Sequence, residues 1–192
     1  MGDLRKHPIE QWRKDYNLDV LVETGTYKGA GIRTALRFGF EQVYSIELNR
    51  TYYDKAVHDF QDDPVTLILG DSINEMGPLA LQIKDKKVLF WLDAHLPSIT
   101  GYKKEHTEDT KFPLELELIE IIKNKDISDD IFLMDDLRMY EIAKYGRGNL
   151  NKKDWKHMRG NIDFIFELLG ATHDVTRDLR DEGYIIGLPK SK

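Results

Sequence analysis

Apolar residues recur in this sequence at two spacings, and the two take turns along the chain. Short apolar blocks rich in β-branched and aromatic residues read as strands: Val20 to Val22, Gln42 to Glu47, Val65 to Gly70, Val88 to Asp93 and Asp130 to Asp136. The fourth is apolar without a break from Val88 to Leu92, as a central strand covered by helices on both faces would be. Between the blocks, apolar positions return every three or four residues, as on one face of a helix. Ile32 to Phe38 runs to a stop at Gly39, and Thr51 to Phe60 is broken by Asp62, Asp63 and Pro64. Ser72 is placed to cap a helix reaching Lys84. Pro113 opens a further helix with Leu114, Leu118, Ile121 and Ile122 on one side, and Asn161 to Leu169 ends at Gly170.

Five strands alternating with helices predict an α/β fold with a parallel sheet and right-handed crossovers. Thr172 to Thr176 and Tyr184 to Gly187, joined by a charged turn, predict a closing hairpin that makes the last strand antiparallel. Residues 8–17 predict a short helix, with Pro8 in its first turn and Ile9, Trp12 and Tyr16 on one face, expected to cover an edge of the sheet. Two stretches lose all periodicity. Residues 94–112 hold Pro97, Gly101 and the cluster Lys103-Lys104-Glu105-His106; residues 137–159 are basic, with Gly146 and Gly148, and read as a short helix and a loop. Long irregular segments inside a compact domain are usually functional, so both are candidate active-site loops. With no repeat or composition break, residues 1–192 read as a single domain whose first 17 residues form an N-terminal helical segment.

Composition narrows the function classes. Acidic residues outnumber basic ones, 34 to 28, a formal charge of −6 that argues against a general nucleic-acid or anionic-membrane surface. There are no cysteines, which removes disulfides, thiolate catalysis and cysteine-ligated zinc. The start, Met1-Gly-Asp-Leu-Arg-Lys6, is too charged for a signal peptide and carries Lys6 where a myristoylation motif requires Ser or Thr. No apolar run reaches 18 residues, and the expectation is a soluble, intracellular, cytoplasmic protein.

The chemistry-bearing residues share one position in the pattern. Glu23, Glu47, Asp71, Asp93, Asp135 and Asp136 all fall at the ends of predicted strands, where ligands of open α/β sheets bind. After the first strand, Gly25, Gly29 and Gly31 make a strand, glycine loop and helix unit, which aims backbone N–H groups and a helix dipole at whatever fills the loop. A tight turn with no ligand is the bland alternative.

Taken in order, these features resemble the class I S-adenosylmethionine-dependent methyltransferases over residues 18–188. Glu23-x-Gly25-x-x-x-Gly29 resembles that family's first motif, Glu47 its acid after strand two, Asp71-Ser72 its adenine contact after strand three, and Asp93 its strand-four motif. The resemblance implies an enzyme with a Rossmann-like doubly wound sheet of order 3-2-1-4-5-7-6 and S-adenosyl-L-methionine as cofactor. It implies a binding set of Glu23, Thr24, Gly25, Thr26, Gly29, Glu47, Leu48, Asp71, Ser72 and Asp93. Glu47 would take the ribose hydroxyls, the glycine loop the methionine portion, Glu23 its amino group, and Asp71 with Ser72 the adenine. For Asp71 the alternative is a helix N-terminal acid. A nicotinamide-type Gly-x-Gly-x-x-Gly is absent, because Tyr27 follows two positions after Gly25.

A narrower resemblance is to the metal-dependent sugar O-methyltransferases of the macrocin and novobiocin type, carried by Asp93-Ala-His95 and Asp135-Asp136. It implies magnesium, or another hard divalent cation, on Asp93, Asp135 and Asp136, and a small-molecule hydroxyl acceptor, a sugar or glycoside first. Three converging carboxylates without a cation would raise one another's pKa values. A helix cap is the alternative for Asp135 or Asp136. Asp93 and His95 are the candidate catalytic residues, with His95 open to three roles: general base, metal ligand or loop histidine. Lys103, Lys104, His106, Arg138, Tyr140 and Lys144 are candidates for an acceptor pocket. The rival functions are a NAD-dependent oxidoreductase and a non-catalytic cofactor- or partner-binding domain. Nucleic-acid amine methylation is disfavoured because strand four lacks an Asp/Asn-Pro-Pro-aromatic motif.

Overall fold

The computed structural model describes residues 3–94, 112–149 and 161–191. Seven strands form one sheet: β1 Val20–Thr24, β2 Gln42–Glu47, β3 Val65–Leu69, β4 Val88–Leu92, β5 Ile131–Met134, β6 His173–Asp178 and β7 Tyr184–Pro189. Their order is β3-β2-β1-β4-β5-β7-β6, with β1 to β5 parallel and β7 antiparallel to both neighbours. Helices α1 Ile9–Asp15, α2 Ala30–Arg37, α3 Arg50–Asp59, α4 Ser72–Gln82, α5 Leu114–Asn124 and α6 Asp163–Leu169 connect and cover them.

The apolar runs of β1, β4 and β5 are buried along their whole length, which is why they lack polar alternation. Period-two geometry sends Val22, Phe90, Leu92 and Phe132 to one face, against Met76 and Leu79 of α4, Leu118 and Ile121 of α5, and Ile165 of α6. Leu21, Leu89, Trp91 and Leu133 face the other way, against Ile32 and Ala35 of α2 and Ala56 of α3. The Phe90 and Phe132 rings stack at 5.1 Å across the β4–β5 pair. β3, at the edge of the sheet, has no fully buried residue.

Two local expectations are corrected. The N-terminal segment packs on a face of the sheet and not along its edge: Ile9 and Trp12 join the cluster of Leu21, Trp91 and Tyr184. His7 lies in the same contact, its ring edge-on to Tyr184 at 4.5 Å and stacked with Trp12 at 6.2 Å. The cap of α4 is Asp71 rather than Ser72. Asp71 holds the extended backbone and accepts from the Ile73 N–H at 3.1 Å, while Ser72 is already the first helical residue. The basic stretch after β5 holds one 3₁₀ turn, Leu137–Met139, and is irregular onward to residue 149. No described helix is long and apolar enough to cross a membrane.

At the amino end of the sheet, Asp130 is fully buried, paired with Lys125 at 2.9 Å and bonded to the Val88 N–H at 2.9 Å. Burial pushes its pKa up to about 6, with Lys125 pulling the other way. Lys125→Met strands that carboxylate, and we expect a loss of about 3–5 kcal/mol at pH 8 by urea unfolding. Without Lys125 the folded-state pKa of Asp130 lies higher still, so the penalty shrinks as the pH falls toward about 6 and the variant's Asp130 takes up a proton. A loss of equal size at pH 5 and pH 8 would contradict this pairing.

Candidate active site

Strand register sets the site. Thr24 is level with Ile46 and Leu92, Ile46 with Ile68, and Leu92 with Met134, so five parallel strands finish at one height. The loops are pinned there by one further rung: Gly25 N–H to Ile46 O, Gly70 N–H to Glu47 O, Asp93 N–H to Thr24 O and Asp135 N–H to Leu92 O, at 2.9 to 3.3 Å. Glu23, Glu47, Asp71, Asp93, Asp135 and Asp136 therefore share the carboxyl rim of the sheet.

The glycine loop wraps a buried carboxyl. Glu23 is 2 % exposed and accepts from the Ser45 hydroxyl at 2.7 Å, which in turn meets the Thr26 hydroxyl at 2.6 Å. A Cβ on Gly31 would lie 1.7 Å from Glu23 Oε1, so α2 comes this close only because position 31 is glycine. Gly25 sits at φ +86°, with its missing Cβ 3.0 Å from the Asp93 carbonyl. Burial, aided by the charge of Glu47, pushes the Glu23 pKa up to about 8. Gly29 precedes α2 in the left-handed conformation, and no side chain caps that helix, which leaves its first N–H groups for a ligand.

Glu47 fastens this loop to the next one. Its buried carboxylate accepts from the Tyr27 N–H at 2.8 Å and the Asn49 N–H at 2.7 Å, one bond to each oxygen. Each oxygen keeps a second lone pair for a ligand hydroxyl. Leu48, beside it, is 39 % exposed, an apolar side chain held open on the rim. Asn49 caps α3. Asp71 spends one oxygen on its own cap and stands at the end of β3 with Ser72 buried behind it.

Asp93, Asp135 and Asp136 converge, each offering a carboxylate oxygen within 4.8 Å of the others. Their separation matches the roughly 4–5 Å diameter of a hard cation's oxygen shell. Burial and the charges of Asp135 and Asp136 hold the Asp93 pKa well above the carboxylate range. Asp136, at φ +54°, precedes the 3₁₀ turn without making a side-chain cap bond. Its partner is Arg138, whose Nε donates at 3.1 Å, and Arg138 also lies 3.6 Å from Glu182. His95, Lys103, Lys104 and His106 lie outside the described residues; Tyr140 is buried against Phe112 and Phe164, and Lys144 is exposed.

No family model matches the chain, and no curated protein is similar to it in sequence. Solved structures are similar in shape. A Staphylococcus aureus protein provisionally named a caffeoyl-CoA O-methyltransferase superposes with a TM-score of 0.69 at 13 % identity, over 99 % of this chain and 85 % of that one. An O-methyltransferase from Bacillus cereus, solved with SAH, gives 0.61 at 14 % identity over 99 % and 82 %. A provisionally named rRNA methylase from Clostridium thermocellum gives 0.62 at 12 % identity over 100 % and 99 %. The chain has the class I methyltransferase fold.

Within this methyltransferase fold, two contributions escaped the sequence reading. Residues 3–6 and Arg147 line a cavity of about 230 Å³ together with Glu23, Gly25, Thr26, Trp91 and Asp93. Nothing in their spacing announced this, since Arg147 is brought in by Glu182 at 2.9 Å and Lys6 by Asp181 at 2.6 Å, both on the turn before β7. The second is Glu117, 1 % exposed on α5. A signal existed: position 117 falls between Leu114, Leu118 and Ile121 on the apolar face of its helix.

The triad predicts opposite responses with and without cations. In chelator at pH 7.5, Asp135→Asn should raise the unfolding temperature by about 2–4 °C for each kcal/mol of repulsion relieved. Added magnesium should then raise the wild-type transition and leave the variant unmoved. A variant that melts lower in chelator, beside a wild type indifferent to magnesium, manganese and calcium, would contradict a cation site.

Proposed function

We propose that this chain is an S-adenosylmethionine-dependent O-methyltransferase acting on a hydroxyl of a small molecule, a sugar or glycoside first, with a divalent cation held by Asp93, Asp135 and Asp136. The observation that carries this reading is the level rim itself, with a glycine loop over a buried carboxyl at β1, a clamped carboxylate at β2 and three converging aspartates at β4 and β5. The similarity in fold to O-methyltransferases, one of them solved with SAH, supports it. S-adenosylmethionine supplies the electrophilic methyl group, and a cation at the aspartates supplies charge that lowers the pKa of an acceptor hydroxyl.

The protein's own residues then divide the work. The N–H groups at the start of α2 would hold the methionine carboxylate, and Glu23 its ammonium group. Glu47 would use its two free lone pairs for the ribose hydroxyls, Leu48 would flank the base, and Asp71 with Ser72 would take the adenine edge. Held so, the methyl group would be positioned for in-line attack. Asp93 is the first candidate to accept the acceptor's proton, and His95 is the second.

Two measurements follow. An ammonium group beside Glu23 lowers its pKa from about 8, so SAH binding at pH 7.5 should release a proton. Affinity should rise with pH up to about 8, and calorimetry in buffers of different ionisation enthalpy reads the release, which Glu23→Gln should remove. No proton release would put the amino group elsewhere. Transfer of labelled methyl to a panel of glycosides and other hydroxyl acceptors should fall at least about 100-fold in Asp135→Asn/Asp136→Asn, with SAH affinity kept. Full turnover of that variant in chelator would remove the cation, and a preference for NAD over SAH would remove the whole reading.

A further inference from the structure

His7 is a buried polar side chain without a hydrogen bond. It is 5 % exposed, and neither ring nitrogen has a partner among the described residues. The Tyr184 ring at 4.5 Å and the Trp12 ring at 6.2 Å box it in and anchor it to β7 and α1. The charged groups around it are Arg180, Asp178, Asp181 and Asp3, and each of these carboxylates already holds a cation. Asp178 takes Arg180 at 2.8 Å, Asp181 takes Lys6 at 2.6 Å and Asp3 takes Arg5 at 2.8 Å. The Tyr184 hydroxyl also donates to Asp181, at 3.3 Å. An imidazolium here would be buried with no acceptor of its own, and burial, aided by the Arg180 charge, pushes the His7 pKa down to about 4. Leucine or phenylalanine would fill the box without stranding two ring nitrogens, so packing alone does not explain the residue. Its position supplies a reason. His7 closes the 3₁₀ turn Leu4–Lys6, its N–H bonded to the Leu4 carbonyl at 3.1 Å, and residues 3–6 line the cavity shared with Glu23, Gly25 and Asp93.

We propose that His7 is a positioning residue for the amino-acid end of the methyl donor: held neutral between Trp12 and Tyr184, it docks the N-terminal turn as part of the cavity wall, and its protonation releases that turn. This rests on the methyl-donor reading above, which puts the donor's ammonium group on Glu23, and deepens it with a pH-dependent gate. Burial favours the neutral ring, so docking is complete above the ordinary histidine value of 6.5 and weakens as the pH falls from there toward about 4, because over that range the released ring binds a proton and the docked ring does not. Between pH 7 and pH 5 the ratio of docked to released turn should fall roughly 20-fold.

Hydrogen exchange read by mass spectrometry, corrected for the intrinsic pH dependence of exchange, tests this on wild type and His7→Leu at pH 5, 6 and 7, with and without SAH. In wild type the peptide over residues 3–12 should lose protection roughly 20-fold from pH 7 to pH 5 while β4 and β5 keep theirs. His7→Leu should hold its protection at all three values. Saturating SAH should slow exchange of the same peptide in wild type, since a ligand bound against the turn favours the docked state. Equal pH dependence in wild type and variant would overturn the gate, and a peptide indifferent to bound SAH would overturn the positioning role. If His7→Leu does not fold, the His7 ring titration in wild type decides by nuclear magnetic resonance, its signals assigned through contact with the Trp12 and Tyr184 rings. A value well below 6.5 supports the assignment, and one at or above 6.5 overturns it. A wild type that binds no SAH at any pH removes the methyl-donor reading itself, a failure read by calorimetry and separate from the exchange of the turn.

Discussion

Seven carboxyl groups crowd the carboxyl ends of five strands, and in that enclosed space they cannot all be ionised at once. The rest of the molecule is arranged around how each is relieved. Glu47 is satisfied by two backbone N–H groups and Asp71 by the first turn of α4. Asp136 has Arg138. Glu23 and Glu117 are driven by burial toward their neutral forms, to about 8 and about 7. Asp93 is left where burial and two neighbouring carboxylates all push its pKa up. A site relieved in part by backbone and in part by protonation is one that gains from meeting cations and hydrogen-bond donors. A ligand with an ammonium group, a vicinal diol and an amine edge, and a divalent metal ion, supply those.

The scaffold makes the crowding possible by keeping the strand ends level. Continuous apolar runs bury β1, β4 and β5 on both faces, and the rungs one residue past each strand hold the first loop residue in register. The opposite end of the sheet shows the contrast. There Asp130 is equally buried but has a lysine at 2.9 Å and a backbone donor, and it works as a brace between β5 and β4. Charge balance, more than burial, separates the structural acid from the candidate functional ones.

Much of this was legible in the residues. Short apolar blocks and stretches of period 3.6 locate the seven strands and most helices, because in a covered parallel sheet burial dictates both patterns. The strand-end acids could be read for the same reason, since a charge directly after an apolar run has only the rim to occupy. What failed was local or distant. Asp71 and Ser72 are both good caps, and the choice between them rests on one backbone angle that spacing does not encode. For the N-terminal segment the apolar face of Ile9 and Trp12 says only that it is covered, not by what, and Tyr184, which covers it, lies 172 residues away from Trp12. Arg147 enters the cavity through ion pairs with the turn before β7, a long-range relation with no periodic trace. Glu117 was visible as an acid on an apolar helix face.

Diffraction from crystals grown with SAH and manganese tests the central claim most directly. The account predicts one anomalous peak about 2.0–2.6 Å from carboxylate oxygens of Asp93, Asp135 and Asp136, with the ribose on Glu47 and the adenine beside Asp71. Manganese bound away from those three aspartates, or an adenosyl group bound anywhere but across the ends of β1, β2 and β3, would contradict it.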